Sequence, residues 1–189
     1  MLEIVYPSRI APVLRGAAGK AREEMLPVVD EHGIVEAQAS RSFVHGGGKV
    51  LHPVVHLHLM DREGRVYLQK RSATKILLPG FWDTSVGGHV SYGETIREAL
   101  YREAQEEIGL YDFNPIEIDS YVWESPTERE LVHVFAVIGA FKPVPDLDEV
   151  EEGRFWTDKE IGASVGKGLL TPNFEVEYSR IAASLQALL

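Results

Sequence analysis

Apolar residues recur at every fourth position along one central segment of the chain. These positions are Ile96, Leu100, Ala104 and Ile108. The spacing places one apolar side chain per turn on a common face and predicts an amphipathic helix. Ser91 and Glu94 match a capping box at its start, and Gly109 follows the last apolar turn, where a left-handed cap is expected. The face predicted to meet solvent carries Glu98, Tyr101, Arg102 and Gln105.

Shorter apolar runs, broken by polar turns, predict strands on both sides of this helix. Before the helix, hairpins are predicted for 25–29 with 34–39 and for 54–60 with 66–70. After the helix, the pattern predicts strands at 116–123, 131–141 and 154–156, and helices at 158–161 and 173–188. This mixed order of hairpins and few helices favours an α+β fold over a doubly wound sheet.

Three carboxylates, Glu103, Glu106 and Glu107, occupy positions i, i+3 and i+4 of the predicted helix and therefore share one face. At ~100° per residue, Glu103 and Glu107 project within ~20° of the direction of Ile96, so the acidic row borders the buried stripe. Clustered carboxylates repel one another unless a proton or a cation neutralises them. The simple alternative is a solvated acidic face, but a hard divalent ion with oxygen ligands explains the cluster better.

The whole segment from Gly88 to Leu110 reads Gly, five residues, Glu, seven residues, then Arg-Glu-apolar-x-Glu-Glu-apolar-Gly-apolar. It resembles a complete Nudix box. The resemblance implies an α/β/α sandwich with a mixed sheet, and hydrolysis of a diphosphate linked to another group. The residues that it assigns to binding of Mg²⁺ or Mn²⁺ are Gly88, Glu103, Glu106 and Glu107. In this pattern Glu107 is also catalytic, and Arg102 orients a catalytic carboxylate by ion pairing.

Other segments resemble the branch of this family related to isopentenyl-diphosphate isomerase, namely 30–33, 68–72, 79–82 and 85–89. In those isomerases, three histidines and two glutamates form a second metal site. The matching positions here are His45, His52, His89, Glu128 and Glu130. Imidazole and carboxylate ligands suit a transition metal better than Mg²⁺. Glu128 or Glu130 is alternatively the general base, because Nudix hydrolases often take that group from outside the box.

The alternative for the second site is that these side chains are ordinary polar residues of loops and strands. That alternative is favoured for His56, His58 and His133, although one of His56 and His58 facing a metal is conceivable. Both alternatives for the five-residue set stay open at this point.

Isomerase activity does not follow from the resemblance. The position that matches the isomerase catalytic cysteine is Gly87, and the chain contains no cysteine. A glycine has no side chain with which to protonate an alkene, whereas the carboxylates of the box are complete. A hydrolase is therefore favoured over an isomerase-like enzyme or a non-catalytic binding or regulatory protein.

The substrate is less well defined by the sequence. Arg71 and Lys75 match basic positions that contact diphosphate in the isomerases, and an Arg fork suits phosphate oxygens. Solvated loop charges are the alternative for both. The expected partner is a small-molecule diphosphate, and nothing separates nucleoside, sugar and isoprenoid derivatives.

Length and composition predict a single domain at 25–189 preceded by an arm at 1–24, since 189 residues with 44% hydrophobic content can bury a sizeable core. The net charge of −10 argues against binding to nucleic-acid polymers. We expect no membrane segment and no signal peptide, which together with the absence of cysteine is compatible with a cytoplasmic protein. A homodimer is compatible with the resemblance.

Overall fold

The alternation of apolar runs and polar turns produces a chain of short strands and few helices. A computed structural model describes residues 2–8, 12–14, 23–75, 77–146 and 150–189. The strands are β1 (Val13–Leu14), β2 (Met25–Val29), β3 (Val35–Ser40), β4 (Leu51–Met60), β5 (Val66–Arg71), β6 (Trp82–Asp83), β7 (Val86–His89), β8 (Ile116–Glu124), β9 (Arg129–Ile138) and β10 (Val150–Trp156). The helices are α1 (Arg41–Val44), α2 (Ile96–Ile108), α3 (Asp158–Ser164) and α4 (Pro172–Gln186).

The two predicted hairpins, the later strands and the three predicted helices are confirmed, with shifts of a few residues at their ends. The largest difference is at β10, which begins at Val150 and not at the predicted residue 154. The short elements β1, β6, β7 and α1 are not predicted from the sequence. Each has at most four residues, which is too short to establish a period.

The strands form two sheets. Strands β1, β3 and β2 form a three-stranded sheet in which β1 runs parallel and β2 antiparallel to β3, so this sheet is mixed. The second sheet has seven strands in the order β10-β5-β4-β9-β8, with β6 paired to β5 and β7 paired to β4. The expected α+β class with mixed pairing is confirmed.

Two units of dense internal contacts can be distinguished along the chain. Unit 1 comprises Met1–Val55, Gly88–Leu100 and Ser120–His133. Unit 2 comprises His56–Gly87, Tyr101–Asp119 and Val134–Leu189. The predicted single domain at 25–189 stays a prediction. Within unit 1, Val5 bridges Ile34 and Val13 pairs with Gln38, while residues 1, 9–11 and 15–22 of the predicted arm lie outside the described residues.

Strand β4 is buried along all ten of its residues. Three of them are the histidines His52, His56 and His58, among apolar neighbours. Because a buried polar group is costly unless it is hydrogen-bonded, each imidazole requires a partner inside the fold. This strand therefore brings polar chemistry into the protein interior.

The apolar stripe of α2 is buried as predicted, with Ile96, Leu100, Ala104 and Ile108 at most 3% exposed. The predicted cap at Ser91 is wrong, because the helix begins after Thr95. The Thr95 amide donates to Glu98 Oε2 at 2.8 Å, and the Glu98 amide donates to Thr95 Oγ1 at 3.2 Å. These two bonds form a capping box. Gly109 has φ +63° and ends the helix in the expected left-handed conformation.

The predicted solvent face of α2 is correct for Glu98 and Gln105 only. Tyr101 is half-buried, because its ring packs against Phe113 at 4.8 Å between centroids and its hydroxyl donates to the Phe113 carbonyl at 3.3 Å. Arg102 is half-buried as well, because it binds neighbouring carboxylates. In the described residues, no helix is both long and apolar enough to cross a membrane.

Replacing Thr95 with Ala should lower the free energy of unfolding by about 1 kcal/mol, because the Glu98 amide loses its acceptor. The matched variant is Ser91→Ala, which removes a hydroxyl that donates to Glu24 at 3.2 Å. Urea denaturation followed by circular dichroism should show the larger loss for Thr95→Ala. A larger loss for Ser91→Ala would contradict the observed cap.

Candidate metal and catalytic centre

Glu107 is fixed by two hydrogen bonds at the C-terminal end of α2. Its Oε2 accepts from Gln69 Nε2 at 2.8 Å and from the Gly87 amide at 3.2 Å. Gln69 lies on β5 and Gly87 on β7, so both donors come from the sheet. The Gln69 amide also donates to the Ser85 carbonyl, which restricts its rotation. The direction of the Glu107 carboxylate is therefore determined by rigid strands.

Arg102 neutralises part of the charge on the other two carboxylates. Its Nη1 donates to Glu103 Oε1 at 2.7 Å and to Glu106 Oε2 at 3.3 Å. The side chain of Glu103 is 13% exposed and that of Glu106 is 60% exposed, so only Glu106 faces solvent fully. The predicted border position of Glu103 and Glu107 is consistent with their half-burial. One guanidinium against three carboxylates leaves a formal charge of about −2 on this face.

The residues present fit a divalent cation with oxygen ligands. The face combines carboxylate oxygens with residual negative charge, which matches the preference of Mg²⁺ and Mn²⁺. In addition, Gln69 Oε1 is buried and has no hydrogen-bond partner among the described residues, although Nε2 of the same side chain donates to Glu107. Among the described side chains, no three His, Asp or Glu residues stand in a finished metal-binding arrangement. Gly88, whose carbonyl is the fourth predicted ligand, lies next to Gly87 on β7.

The three histidines of the predicted second site come together in unit 1. The ring centroids of His45 and His89 are 5.0 Å apart, those of His52 and His89 are 5.4 Å apart, and those of His45 and His52 are 6.2 Å apart. His45 Nδ1 lies 2.5 Å from Glu128 Oε1. Four of the five predicted residues are thus close neighbours. Glu130 is half-buried at the start of β9, whereas Glu128 belongs to the turn that precedes the strand.

The ring of His52 is held in a form that can bind a metal. Its Nδ1 donates to the Val50 carbonyl at 3.1 Å, which leaves the lone pair on Nε2. This Nε2 and the Nε2 of His45 are buried without a hydrogen-bond partner in the described part of the chain. Burial lowers the pKa of His52 to about 4, so the ring is neutral at physiological pH. Metal-binding histidines commonly show this combination of a backbone-bound nitrogen and an available one.

The two basic residues predicted to bind substrate lie at the end of β5 and in the loop that follows it. Arg71 ends the strand, and its Nη1 donates to Asp83 Oδ2 at 3.2 Å while its Nε donates to the Leu77 carbonyl at 3.2 Å. Lys75 lies in the following loop, where its amide donates to the Ser72 carbonyl. Asp83 thus fixes the orientation of Arg71. The role of both residues in substrate binding stays a prediction.

Sequence reasoning did not identify Gln69 or Glu177 as residues of interest. Glu177 is fully buried on α4 and binds both His56 and His58, which were expected to be ordinary polar residues. The two histidines share one face of β4, because positions i and i+2 of a strand point the same way. The signal that was available is the position of Glu177 on the apolar face of α4, beside Phe174 and Tyr178.

Comparison with known proteins agrees with this geometry. Residues 50–169 match the family model described as the NUDIX domain, which is well over half of the chain. The chain belongs to the Nudix family. It is 32% identical over 165 residues to an uncharacterised Nudix hydrolase of Streptomyces coelicolor, covering 85% of this chain and 90% of the relative. The assignment as a Nudix hydrolase is therefore supported by the family model and by a relative of nearly the same extent.

Isomerases are also among the relatives of this Nudix protein. An isopentenyl-diphosphate Delta-isomerase of Streptomyces griseus is 32% identical over 149 residues, which is 76% of either chain. Among solved structures, the Deinococcus radiodurans protein DR0079 superposes with a TM-score of 0.74 at 26% identity, covering 84% of this chain and 99% of that one. These similarities confirm the resemblance that the sequence motifs indicated, including its isomerase-related branch.

Protein freed of metal with EDTA should lose stability as the pH falls from about 6.5 to about 4, because unfolded His52 takes up a proton that the folded ring excludes. The expected contribution is about 3 kcal/mol. His52→Asn retains a donor for the Val50 carbonyl and should flatten the dependence. A residual slope should persist from His133, whose pKa burial also lowers to about 4. An unchanged slope in urea titrations of His52→Asn would contradict the neutral ring.

Proposed function

We propose that this protein is a metal-dependent hydrolase that cleaves the diphosphate linkage of a small molecule by attack of water at phosphorus. The observation that carries this proposal is the fixed carboxylate of Glu107. It accepts two hydrogen bonds from the sheet and lies on the same helix face as Glu103 and Glu106. An acidic face with residual negative charge and rigid support suits divalent cations, which Nudix hydrolases generally use.

Different residues have different roles in the proposed reaction. Glu103, Glu106 and Glu107 would hold the metal ions, which would polarise a phosphoryl oxygen and lower the pKa of a bound water. Arg102 fixes Glu103 and Glu106, while Gln69 and Gly87 orient Glu107. A carboxylate accepts a proton from the attacking water while the water oxygen bonds to phosphorus and the bond between phosphorus and the leaving oxygen breaks. The candidates for this general base are Glu107, Glu128 and Glu130.

A second metal site in unit 1 is part of the proposal. It is supported by the three clustered imidazoles, by the Glu128 carboxylate beside His45, and by the buried Nε2 atoms of His45 and His52. Neutral imidazoles together with carboxylates are the ligand set of Zn²⁺, Mn²⁺ or Fe²⁺. This site is the alternative to a role of Glu128 or Glu130 as general base.

The proposed substrate class is supported by the Nudix box and by two basic residues at and after the end of β5. Arg71 and Lys75 are the proposed contacts to the diphosphate, whose other substituent is a nucleoside, a sugar or an isoprenoid. Isomerisation is the second candidate, because isomerases are among the relatives. It is disfavoured by Gly87, which offers no acid at the position of the isomerase cysteine.

Glu107→Gln and Glu103→Gln should each reduce turnover by about 100-fold or more, because each removes a charged oxygen from the metal-binding face. Glu36→Gln, which changes an exposed carboxylate on β3, is the matched control and should be unaffected. The assay measures phosphate release from a panel of nucleotide, sugar and isoprenoid diphosphates with and without Mg²⁺ or Mn²⁺. Undiminished turnover by Glu107→Gln would rule out its assigned role.

His45→Ala and His52→Ala should each remove a transition metal from the protein as isolated, since each deletes one proposed imidazole ligand. Elemental analysis of wild type and variants measures the metal content directly, and His32→Ala, an exposed turn residue, serves as the control. Equal metal content in wild type and both variants would exclude the second site.

A further inference from the structure

The carboxylate of Asp83 on β6 is bound by three donors within unit 2. Its Oδ1 accepts from Thr171 Oγ1 at 2.9 Å and from the Thr84 amide at 2.9 Å, and its Oδ2 accepts from Arg71 Nη1 at 3.2 Å. Thr171 is buried and caps the N-terminus of α4 by accepting from the Phe174 amide at 3.3 Å. Asp83 is therefore anchored to a helix end on one side and holds a guanidinium on the other.

The same arrangement fixes the direction of the Arg71 side chain. Its Nε donates to the Leu77 carbonyl at 3.2 Å and its Nη1 donates to Asp83, so neither bond uses Nη2. The backbone of Arg71 is held as well, because its amide donates to the Phe81 carbonyl at 2.8 Å and its carbonyl accepts from the Gly80 amide at 2.9 Å. The side chain nevertheless remains 29% exposed. Arg71 is thus a pre-oriented guanidinium that a ligand can reach.

Arg71 shares a face of the sheet with the residue that holds Glu107. Side chains at positions i and i+2 of a strand point the same way, so Gln69 and Arg71 lie on one face of β5. Asp83 pairs directly with Gln69 in the register of β5 and β6, which places Asp83 on that face too. Gln69 Nε2 donates to Glu107. Arg71 therefore lies about two strand residues, or ~7 Å, along the same face from the donor to the proposed metal-binding carboxylate.

We propose that Asp83 is a positioning residue, which holds Arg71 in the orientation that binds the phosphoryl group not attacked by water. The proposal rests on the proposed function for the identity of the ligand and for the role of Arg71. A diphosphate has two linked phosphoryl groups, and the carboxylate face of α2 and Arg71 offer a separate contact to each. Because a guanidinium binds phosphate oxygens in a defined plane, a fixed Arg71 lowers the ordering cost of binding. A partly exposed ion pair by itself stabilises the fold little, so orientation is the better explanation of the three donors on Asp83.

The chain offers a matched pair of conservative substitutions. In Asp83→Asn, Oδ1 can keep its two donors, but an amide nitrogen replaces the oxygen that binds Arg71. Glu151→Gln is the control, because it removes the charge that pairs with Lys70 at 2.8 Å, and Lys70 points to the opposite face of β5. Calorimetry with methylenediphosphonate and Mg²⁺ should show binding weakened by about 5- to 10-fold in Asp83→Asn and by less than about twofold in Glu151→Gln. Simple loss of a negative charge would instead tighten binding of this anion, so tighter or unchanged binding in Asp83→Asn would overturn the proposal.

Combining substitutions separates a positioning role from a structural one. Arg71→Ala should weaken binding of the probe by about 10-fold or more, and adding Asp83→Asn should cause no further loss, because both act through one guanidinium. With an accepted substrate, Asp83→Asn should raise KM by about 5- to 10-fold and change kcat by less than about threefold, since the contact is made equally in the ground state and the transition state. Additive losses in binding, or a fall in kcat with KM unchanged, would overturn the assignment of Asp83.

The anchor at Thr171 has a counterpart that lacks the link to Asp83. Thr171 and Thr157 cap α4 and α3, and each side chain accepts from the third amide of its helix. Thr171→Val and Thr157→Val should both lower the melting temperature, because each helix loses its cap. Only Thr171→Val should weaken binding of the probe, by about twofold or more, because only this hydroxyl donates to Asp83. Equal affinity for the probe in the two variants would contradict the anchoring role of Thr171.

Binding of the probe also separates this inference from the proposed function. Methylenediphosphonate is not hydrolysed, so its affinity is measured without turnover. If wild type hydrolyses no diphosphate but binds the probe more tightly than Asp83→Asn does, the hydrolase proposal fails and the positioning role stands. If wild type hydrolyses diphosphates and its affinity for the probe is independent of Asp83, the positioning role fails alone. Absence of probe binding by wild type would refute the contact at Arg71.

Discussion

The candidate catalytic site depends on one constraint, the fixed position of the Glu107 carboxylate. The last turn of α2 ends at Ile108, where side chains usually retain freedom. Two donors from the sheet, Gln69 and the Gly87 amide, remove this freedom. Because a carboxylate that binds metal must already point in the right direction, this support reduces the reorganisation that the reaction requires. The apolar stripe of α2 and the Thr95 cap hold the helix in the register that makes these contacts.

The interior of unit 2 contains a second constraint of the same kind. Glu177 is fully buried, and hydrogen bonds from two imidazoles favour its ionised form. Such a charge contributes little to stability compared with an apolar core, so its retention is better explained by specificity of side-chain orientation.

The sequence predicts the parts of this fold that depend on local periodicity. The stripe of α2, its left-handed end at Gly109 and the two hairpins are of this type. The capping box is predicted at the wrong residue because Ser91 with Glu94 and Thr95 with Glu98 both match the capping-box pattern. Only the residue at which the helix begins decides between them. The Glu177 network is beyond such reasoning, since its partners lie about 120 positions away along the chain. The histidine cluster of unit 1 is predicted from family resemblance and not from the spacing of the histidines along the chain.

The central claim is that this Nudix protein activates water to attack phosphorus and does not isomerise an alkene. The most direct test is turnover of an accepted diphosphate in H₂¹⁸O by wild type and by Glu107→Gln. Mass spectrometry of the products should find one ¹⁸O atom on a product phosphate for wild type and a loss of labelled product of about 100-fold for the variant. Product formed without ¹⁸O on phosphorus, or labelling that is undiminished in Glu107→Gln, would contradict the account.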